Sequence, residues 1–137
     1  MTNAPAALGV AYLDSSALVK LVVVEPESAA LREAITPWSG AFATSVIAHV
    51  EVPRAVLAAG TSTNRAVLIL ASVATIPLSE SVISAARSLQ PPELRSLDAI
   101  HIASASSLGG DLGVLITYDK RMQEAAAAAG IAVFAPE

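Results

Sequence analysis

The run Gly9-Val10-Ala11-Tyr12-Leu13, followed at once by Asp14-Ser15-Ser16, decides how the rest of the chain is read. A short, uninterrupted apolar run of this kind describes a strand buried on both faces. Asp14, Ser15 and Ser16 are good helix N-caps, because their side-chain oxygens accept the unpaired N–H groups of a first helical turn. They introduce an apolar helix expected over residues 17–24.

The same alternation continues outward from this unit. Further strands are expected at 41–44, 73–76, 113–116 and 131–134, each short and apolar. Helices are expected between them, over 27–35, 45–59, 63–72, 79–89, 95–108 and 119–129. Pro37, Gly60, Pro77, the Pro91-Pro92 pair, Gly109-Gly110 and Gly130 punctuate the boundaries. Pro53 falls inside a helix, where it removes one backbone bond and should bend it. Four- or five-residue strands without alternation imply a parallel sheet covered by helices on both faces, a three-layer α/β/α architecture. Right-handed crossovers line up the strand C-terminal ends along one edge, and ligands of such folds bind there, near the switch in strand order.

Composition sets the outer limits. At 137 residues the chain fits one domain, taken as residues 1–137, and 54 % hydrophobic residues exclude disorder. Much of that fraction is alanine, which favours helices and close interhelical packing. The positive mean hydropathy suggests that a partner covers some apolar surface. With no cysteine, disulfides and thiolate-bound zinc are impossible. Residues 1–9 lack the features of a secretory signal, and no apolar stretch approaches the ~20 residues of a membrane span. A cytoplasmic protein without membrane association is expected. A net charge of −4 is unlike a generic nucleic-acid binder, unless carboxylates are committed to cations that reverse the local field.

Four acidic residues fall where that edge is expected. Asp14 directly follows the first strand, and Asp119 comes three residues after Ile116. Glu51 lies about two turns into the expected 45–59 helix, and Asp98 in the first turn of the 95–108 helix. Each has an ordinary explanation. Asp14 and Asp119 could simply cap helices, Asp98 could complement a helix dipole, and Glu51 could pair with Arg54 one turn on. Convergence changes the weighing, since two carboxylates ~4 Å apart repel by roughly 4 kcal/mol at an effective dielectric of 20. Protons or hard divalent cations must offset that repulsion, and oxygen ligands favour Mg²⁺ or Mn²⁺.

At these residues the sequence resembles a family. Tyr12-Leu13-Asp14-Ser15-Ser16-Ala17-Leu18-Val19-Lys20 is similar to the opening motif of PIN-domain VapC toxins. Thr44-Ser45 with Glu51-Val52-Pro53-Arg54-Ala55, Leu97-Asp98-Ala99-Ile100-His101-Ile102-Ala103 and Thr117-Tyr118-Asp119-Lys120-Arg121-Met122 resemble the second, third and fourth motifs, in order. The resemblance implies metal ligands at Asp14 and Asp98, with Glu51 and Asp119 completing a catalytic acidic pocket supported by Thr117 and Ser15. It implies an Mg²⁺- or Mn²⁺-dependent endoribonuclease that hydrolyses RNA phosphodiesters with a metal-activated water. It also implies a VapB-like antitoxin, whose basic C-terminal segment covers the pocket, and a homodimer or toxin–antitoxin hetero-oligomer.

Lys20, Arg54, Lys120 and Arg121 are the basic residues nearest the edge in sequence, available for phosphates or for ordinary ion pairs. His101, one turn beyond Asp98, reads either as a partner of the acidic site or as a structural, hydrogen-bonded histidine. A haloacid-dehalogenase-like phosphotransferase would use Asp14 as nucleophile, with Thr44 or Ser45 and Lys120 on phosphate. It also requires a second Asp where this chain has Ser16. The remaining alternative is a non-catalytic acidic binding module.

Overall fold

The computed structural model describes residues 9–137, so the reading of residues 1–9 as lacking a signal lies, Gly9 apart, outside them. Five strands form one parallel sheet: β1 (Val10–Leu13), β2 (Phe42–Ser45), β3 (Ala74–Ile76), β4 (Leu112–Ile116) and β5 (Val133–Phe134). Their spatial order is β3-β2-β1-β4-β5. The chain first builds outward from β1 in one direction, then returns to add β4 and β5 on its other side. The order therefore switches between β1 and β4, which pair with Leu13 opposite Ile116. A crevice opens at the C-terminal ends of strands on either side of such a switch.

Among the described residues seven α-helices cover the sheet: α1 (Ser15–Lys20), α2 (Ser28–Ile35), α3 (Ala48–Ala58), α4 (Asn64–Ala71), α5 (Glu80–Arg87), α6 (Ser96–Ser106) and α7 (Lys120–Ala128). Successive strand residues face opposite sides, so β1 and β4 feed two cores. Ala11, Leu13, Val114 and Ile116 pack with α1 to α4, joining Leu18, Leu31, Val52, Val56 and Leu70. Tyr12 and Leu115 point the other way, against Ile102 and Ala105 of α6 and Met122 and Ala126 of α7. This is the expected three-layer arrangement, with β1, β2 and β4 largely buried and the outer strands β3 and β5 more open.

Two boundaries differ from the sequence reading for identifiable reasons. Helix α1 ends at Lys20 rather than near 24. Leu21 N and Val22 N reach back only three residues, to Leu18 O and Val19 O at 3.0 Å each, so the last turn tightens. Beyond it Leu21 O and Val23 O are taken by Arg32 Nη2 at 3.0 Å and Ser28 Oγ at 3.2 Å of α2. Helix α3 starts at Ala48 rather than at Ser45, because β2 runs through Ser45 and Val46 N still bonds Ile76 O at 3.0 Å. Glu51 consequently sits in the first turn of α3, not two turns in. The helix continues through Pro53 to Ala58. No helix among the described residues is long and apolar enough to cross a membrane.

Candidate active site

Asp14 leaves β1 directly into the switch crevice. Its backbone is extended and its side chain caps α1, Oδ1 accepting from Ala17 N at 3.0 Å and from Ser16 Oγ at 2.7 Å. Oδ2 accepts from Thr117 Oγ1 at 2.6 Å, across the β1–β4 pairing. The residue is only 2 % exposed. Burial pushes its carboxyl above the usual carboxylate range, against the opposing pull of His101 and the hydrogen bonds from Thr117, Ser16 and Ala17.

Thr117, fully buried one residue past β4, joins two acidic residues. Its hydroxyl donates to Asp14 and accepts Asp119 N at 3.1 Å, while Gln123 Nε2 donates to its carbonyl at 2.9 Å. Asp119 caps α7 by accepting Met122 N at 3.0 Å. The capping explanation of Asp14 and Asp119 is therefore correct as geometry and compatible with a place at the edge. A strand-to-helix junction delivers both at once.

Asp98 lies in the first turn of α6, half-buried. Its carboxyl is raised first by burial and next by the charge of Asp119. Asp14 adds to the rise, and Arg95 and His101 oppose it. Asp98 thus feels the charge of both Asp119 and Asp14 through space. Glu51 does not pair with Arg54. Its Oε1 accepts Ser15 Oγ at 2.7 Å and His101 Nε2 at 2.7 Å. Burial works to raise the Glu51 carboxyl, but these bonds outweigh it and the group is held below its ordinary range. An open cleft brings Glu51 and Asp119 together with Ser15, Ser16, Lys20 and Tyr118; Asp14 and Asp98 do not line it, though Asp14 is hydrogen-bonded to its lining residue Ser16.

A PIN-domain model matches residues 11–128. The chain belongs to the PIN family. It is 48 % identical over 126 residues to ribonuclease VapC46 of Mycobacterium tuberculosis, covering 91 % of this chain and 96 % of that protein. Ribonuclease VapC47 of the same species is 39 % identical over 130 residues, with the same coverage. Among solved structures, a toxin–antitoxin complex from Klebsiella pneumoniae superposes with a TM-score of 0.69 at 25 % identity, over 93 % of this chain and 98 % of that one. VapBC2 of Rickettsia felis, bound to a promoter DNA fragment, superposes at 0.68 and 13 % identity over 93 % and 99 %, which speaks for the fold alone.

Ribonucleases of this PIN type generally depend on a divalent metal. The donors fit such an ion by chemistry: Asp14, Asp98 and Asp119 are hard oxygen donors, and a cation relieves the repulsion that Asp119 and Asp14 exert on Asp98. Among the described residues no three His, Asp or Glu side chains already stand at metal-binding spacing. A small hydrated cation does not need three, since Mg²⁺ is commonly held by one or two carboxylates and keeps several waters.

The basic residues separate. Arg54 and Lys120 are exposed. Lys20 lines the cleft, but its buried ammonium is matched by Glu27 at 2.8 Å and Glu25 at 3.4 Å and lies 4.6 Å from the Tyr118 ring centre. Arg121 borders a different groove, between the Gln90-Pro91 turn and α7. Sequence reasoning missed Ser16, which donates to Asp14 and accepts Tyr118 N at 3.0 Å, and Gln123. It also missed that the partners of His101 are Tyr12 and Glu51. Serine two residues after Asp14 was the only visible trace of the first. No local signal marks the others.

Proposed function

We propose that the chain, a single PIN domain over residues 1–137, is the toxin half of a VapBC-like pair. In this reading it is an Mg²⁺- or Mn²⁺-dependent endoribonuclease of the cytoplasm. The observation that carries the reading is that Thr117 joins Asp14 and Asp119 at the switch in strand order, with Asp98 close enough to feel the charge of both. The names of its relatives, ribonucleases at up to 48 % identity over most of both chains, support the activity. The toxin–antitoxin neighbour at 25 % identity supports the pairing.

Asp14 and Asp98 are assigned as ion ligands, with Asp119 and Glu51 completing the pocket. When bound, the ion supplies Lewis acidity toward the phosphoryl oxygen and makes water acidic enough to attack near neutral pH. Thr117, Ser16 and Ala17 N orient the Asp14 carboxylate, and Ser15 helps to orient Glu51. Water attacks phosphorus in line. The new P–O bond forms as the P–O3′ bond breaks, Glu51 or Asp119 takes the water proton, and the departing O3′ takes a proton from solvent. The products carry a 5′-phosphate and a 3′-hydroxyl.

Exposed Arg54 and Lys120 are assigned to substrate phosphates, and Lys20 and Arg121 to secondary contacts at most. Exposed Val50, Leu57, Val67 and Leu68 on α3 and α4 support coverage by an antitoxin or a second protomer. A basic C-terminal segment of the antitoxin, placing Arg or Lys over the acidic cleft, complements its charge. The test is end-sequencing of RNA incubated with purified protein and Mg²⁺ or Mn²⁺, with and without EDTA. EDTA-sensitive cleavage with 5′-phosphate ends is expected. Cyclic 2′,3′-phosphate ends, or cleavage that survives both EDTA and Asp14→Asn, would overturn the assignment.

A further inference from the structure

Asp98 and His101 lie three residues apart on α6, so one turn carries both toward the β1–α3 side of the site. The His101 side chain is buried, with 1 % of the residue exposed. Its ring is held at both ends: Nδ1 lies 2.7 Å from the Tyr12 hydroxyl, and Nε2 lies 2.7 Å from Glu51 Oε1 and 3.2 Å from Ser15 Oγ. The Tyr12 ring meets it edge-on, with centres 5.9 Å apart at 78°. A carboxylate oxygen only accepts, so Nε2 carries a proton and donates to Glu51.

Two donors therefore converge on one oxygen of Glu51, from α1 through Ser15 and from α6 through His101. Neither bond uses Oε2. A glutamate on a half-exposed helix face would otherwise sample several rotamers, and ordering it costs up to ~2 kcal/mol. Tyr12 belongs to β1 two residues before Asp14, so the strand that delivers one site carboxylate also anchors the ring that orders another. Neither Tyr12 nor His101 faces the cleft, and the functional assignment above gives them no role.

We propose that His101 is a positioning residue, which with Ser15 pins Glu51 through Oε1 and presents Oε2 to the cleft toward the ion's hydration shell and the attacking water. The inference rests on the nuclease reading and deepens it. A misplaced carboxylate outside the direct ligand set typically costs 10–100-fold in metal affinity or activity. Positioning predicts that this loss falls on turnover and ion binding and not on RNA affinity.

The test compares His101→Leu, which keeps bulk and removes the donor, with His101→Gln, whose amide nitrogen restores one. Ser15→Ala, which removes the second donor without entering the core, accompanies them. Each full-length variant is assayed for kcat and KM on a single-stranded RNA and for Mn²⁺ affinity by EPR. The wild-type imidazole is also observed by ¹⁵N NMR. Expected are a roughly 10–100-fold lower kcat in His101→Leu with KM within about two-fold. Weaker Mn²⁺ binding in the same variant, recovery of most of both in His101→Gln, and a smaller loss in Ser15→Ala are also expected. The NMR spectrum should show a protonated Nε2 whose shift moves in Glu51→Gln. Wild-type kcat and Mn²⁺ affinity in His101→Leu would overturn the inference, as would equal losses in the Leu and Gln variants. If His101→Leu does not fold, the Gln and Ser15→Ala variants decide it, since full activity in Ser15→Ala and none in His101→Gln contradicts positioning. A wild-type protein that neither cleaves RNA nor binds Mn²⁺ would instead remove the nuclease reading, and this inference with it.

Discussion

Asparagine and alanine at position 14 separate the two jobs of that side chain, holding α1 and holding an ion. Asn keeps an Oδ1 that can accept Ala17 N and Ser16 Oγ, and Thr117 Oγ1 can accept from its new NH₂ group. Ala keeps neither. Loss of a cap costs about 1 kcal/mol, and loss of the Thr117 bond to a charged acceptor about 1.5–3 kcal/mol. Relief of the buried charge returns part of this, because burial already disfavours the ionised form. Asp14→Ala should therefore lose roughly 2–3 kcal/mol, and Asp14→Asn should stay within about 1 kcal/mol of wild type. For a chain of this size that is a fall in Tm of the order of 6–15 °C for Ala and a few degrees at most for Asn. The assay is thermal unfolding in EDTA beside RNA cleavage in Mg²⁺, and cleavage should vanish in both variants.

The pH dependence of the pair carries a sign. The folded-state carboxyl of Asp14 is raised, so its contribution to stability is complete below the unfolded value near 4 and is lost as pH rises through the folded value. Asn does not titrate. Its stability relative to metal-free wild type should improve as pH is raised from about 4 to 8. Wild-type cleavage by Asp14→Asn, or an Asp14→Ala protein as stable as Asp14→Asn, would refute the reasoning.

Asp98→Asn should raise the metal-free Tm by removing repulsion from Asp119 and Asp14, and should abolish stabilisation by Mg²⁺. Wild type at 100 times its Kd gains about 2.7 kcal/mol by linkage, so thermal shift with and without Mg²⁺ reads both effects. Because Asp14 and Asp98 are both raised, Mn²⁺ affinity followed by EPR should begin to fall on acidification at a pH above the ordinary aspartate value. A curve that stays flat down to about 4 would contradict this. Lys20→Met should lower stability modestly by breaking its ion pairs with Glu25 and Glu27, read as an earlier midpoint in chemical denaturation. Lys120→Ala should instead leave stability unchanged and lower the salt dependence of RNA binding by about one charge.

The sequence by itself determined what depends on near neighbours. Asp14 and Asp119 were legible as caps and as edge residues together, because a cap bonds an N–H only three residues on and the strand before it is a short apolar run. Alternating strands and helices fixed a covered parallel sheet for the same reason. Spacing along the chain is enough to put the four acidic motifs near the strand ends.

Tertiary structure alone decided what depends on partners far along the chain. The order β3-β2-β1-β4-β5 sets Leu13 beside Ile116, and only that register puts the Thr117 hydroxyl on Asp14, 103 residues away. Helix α3 began late because β2 kept Ser45 and the edge of β3 took Val46 N, a competition invisible to local cap preferences. His101 stood beside Asp98 in sequence but bonds Tyr12 and Glu51, 89 and 50 residues distant. Side-chain periodicity says which face a residue joins. Which residue it meets there is set by how separate helices pack on the sheet, and that balance is settled only when the whole core closes.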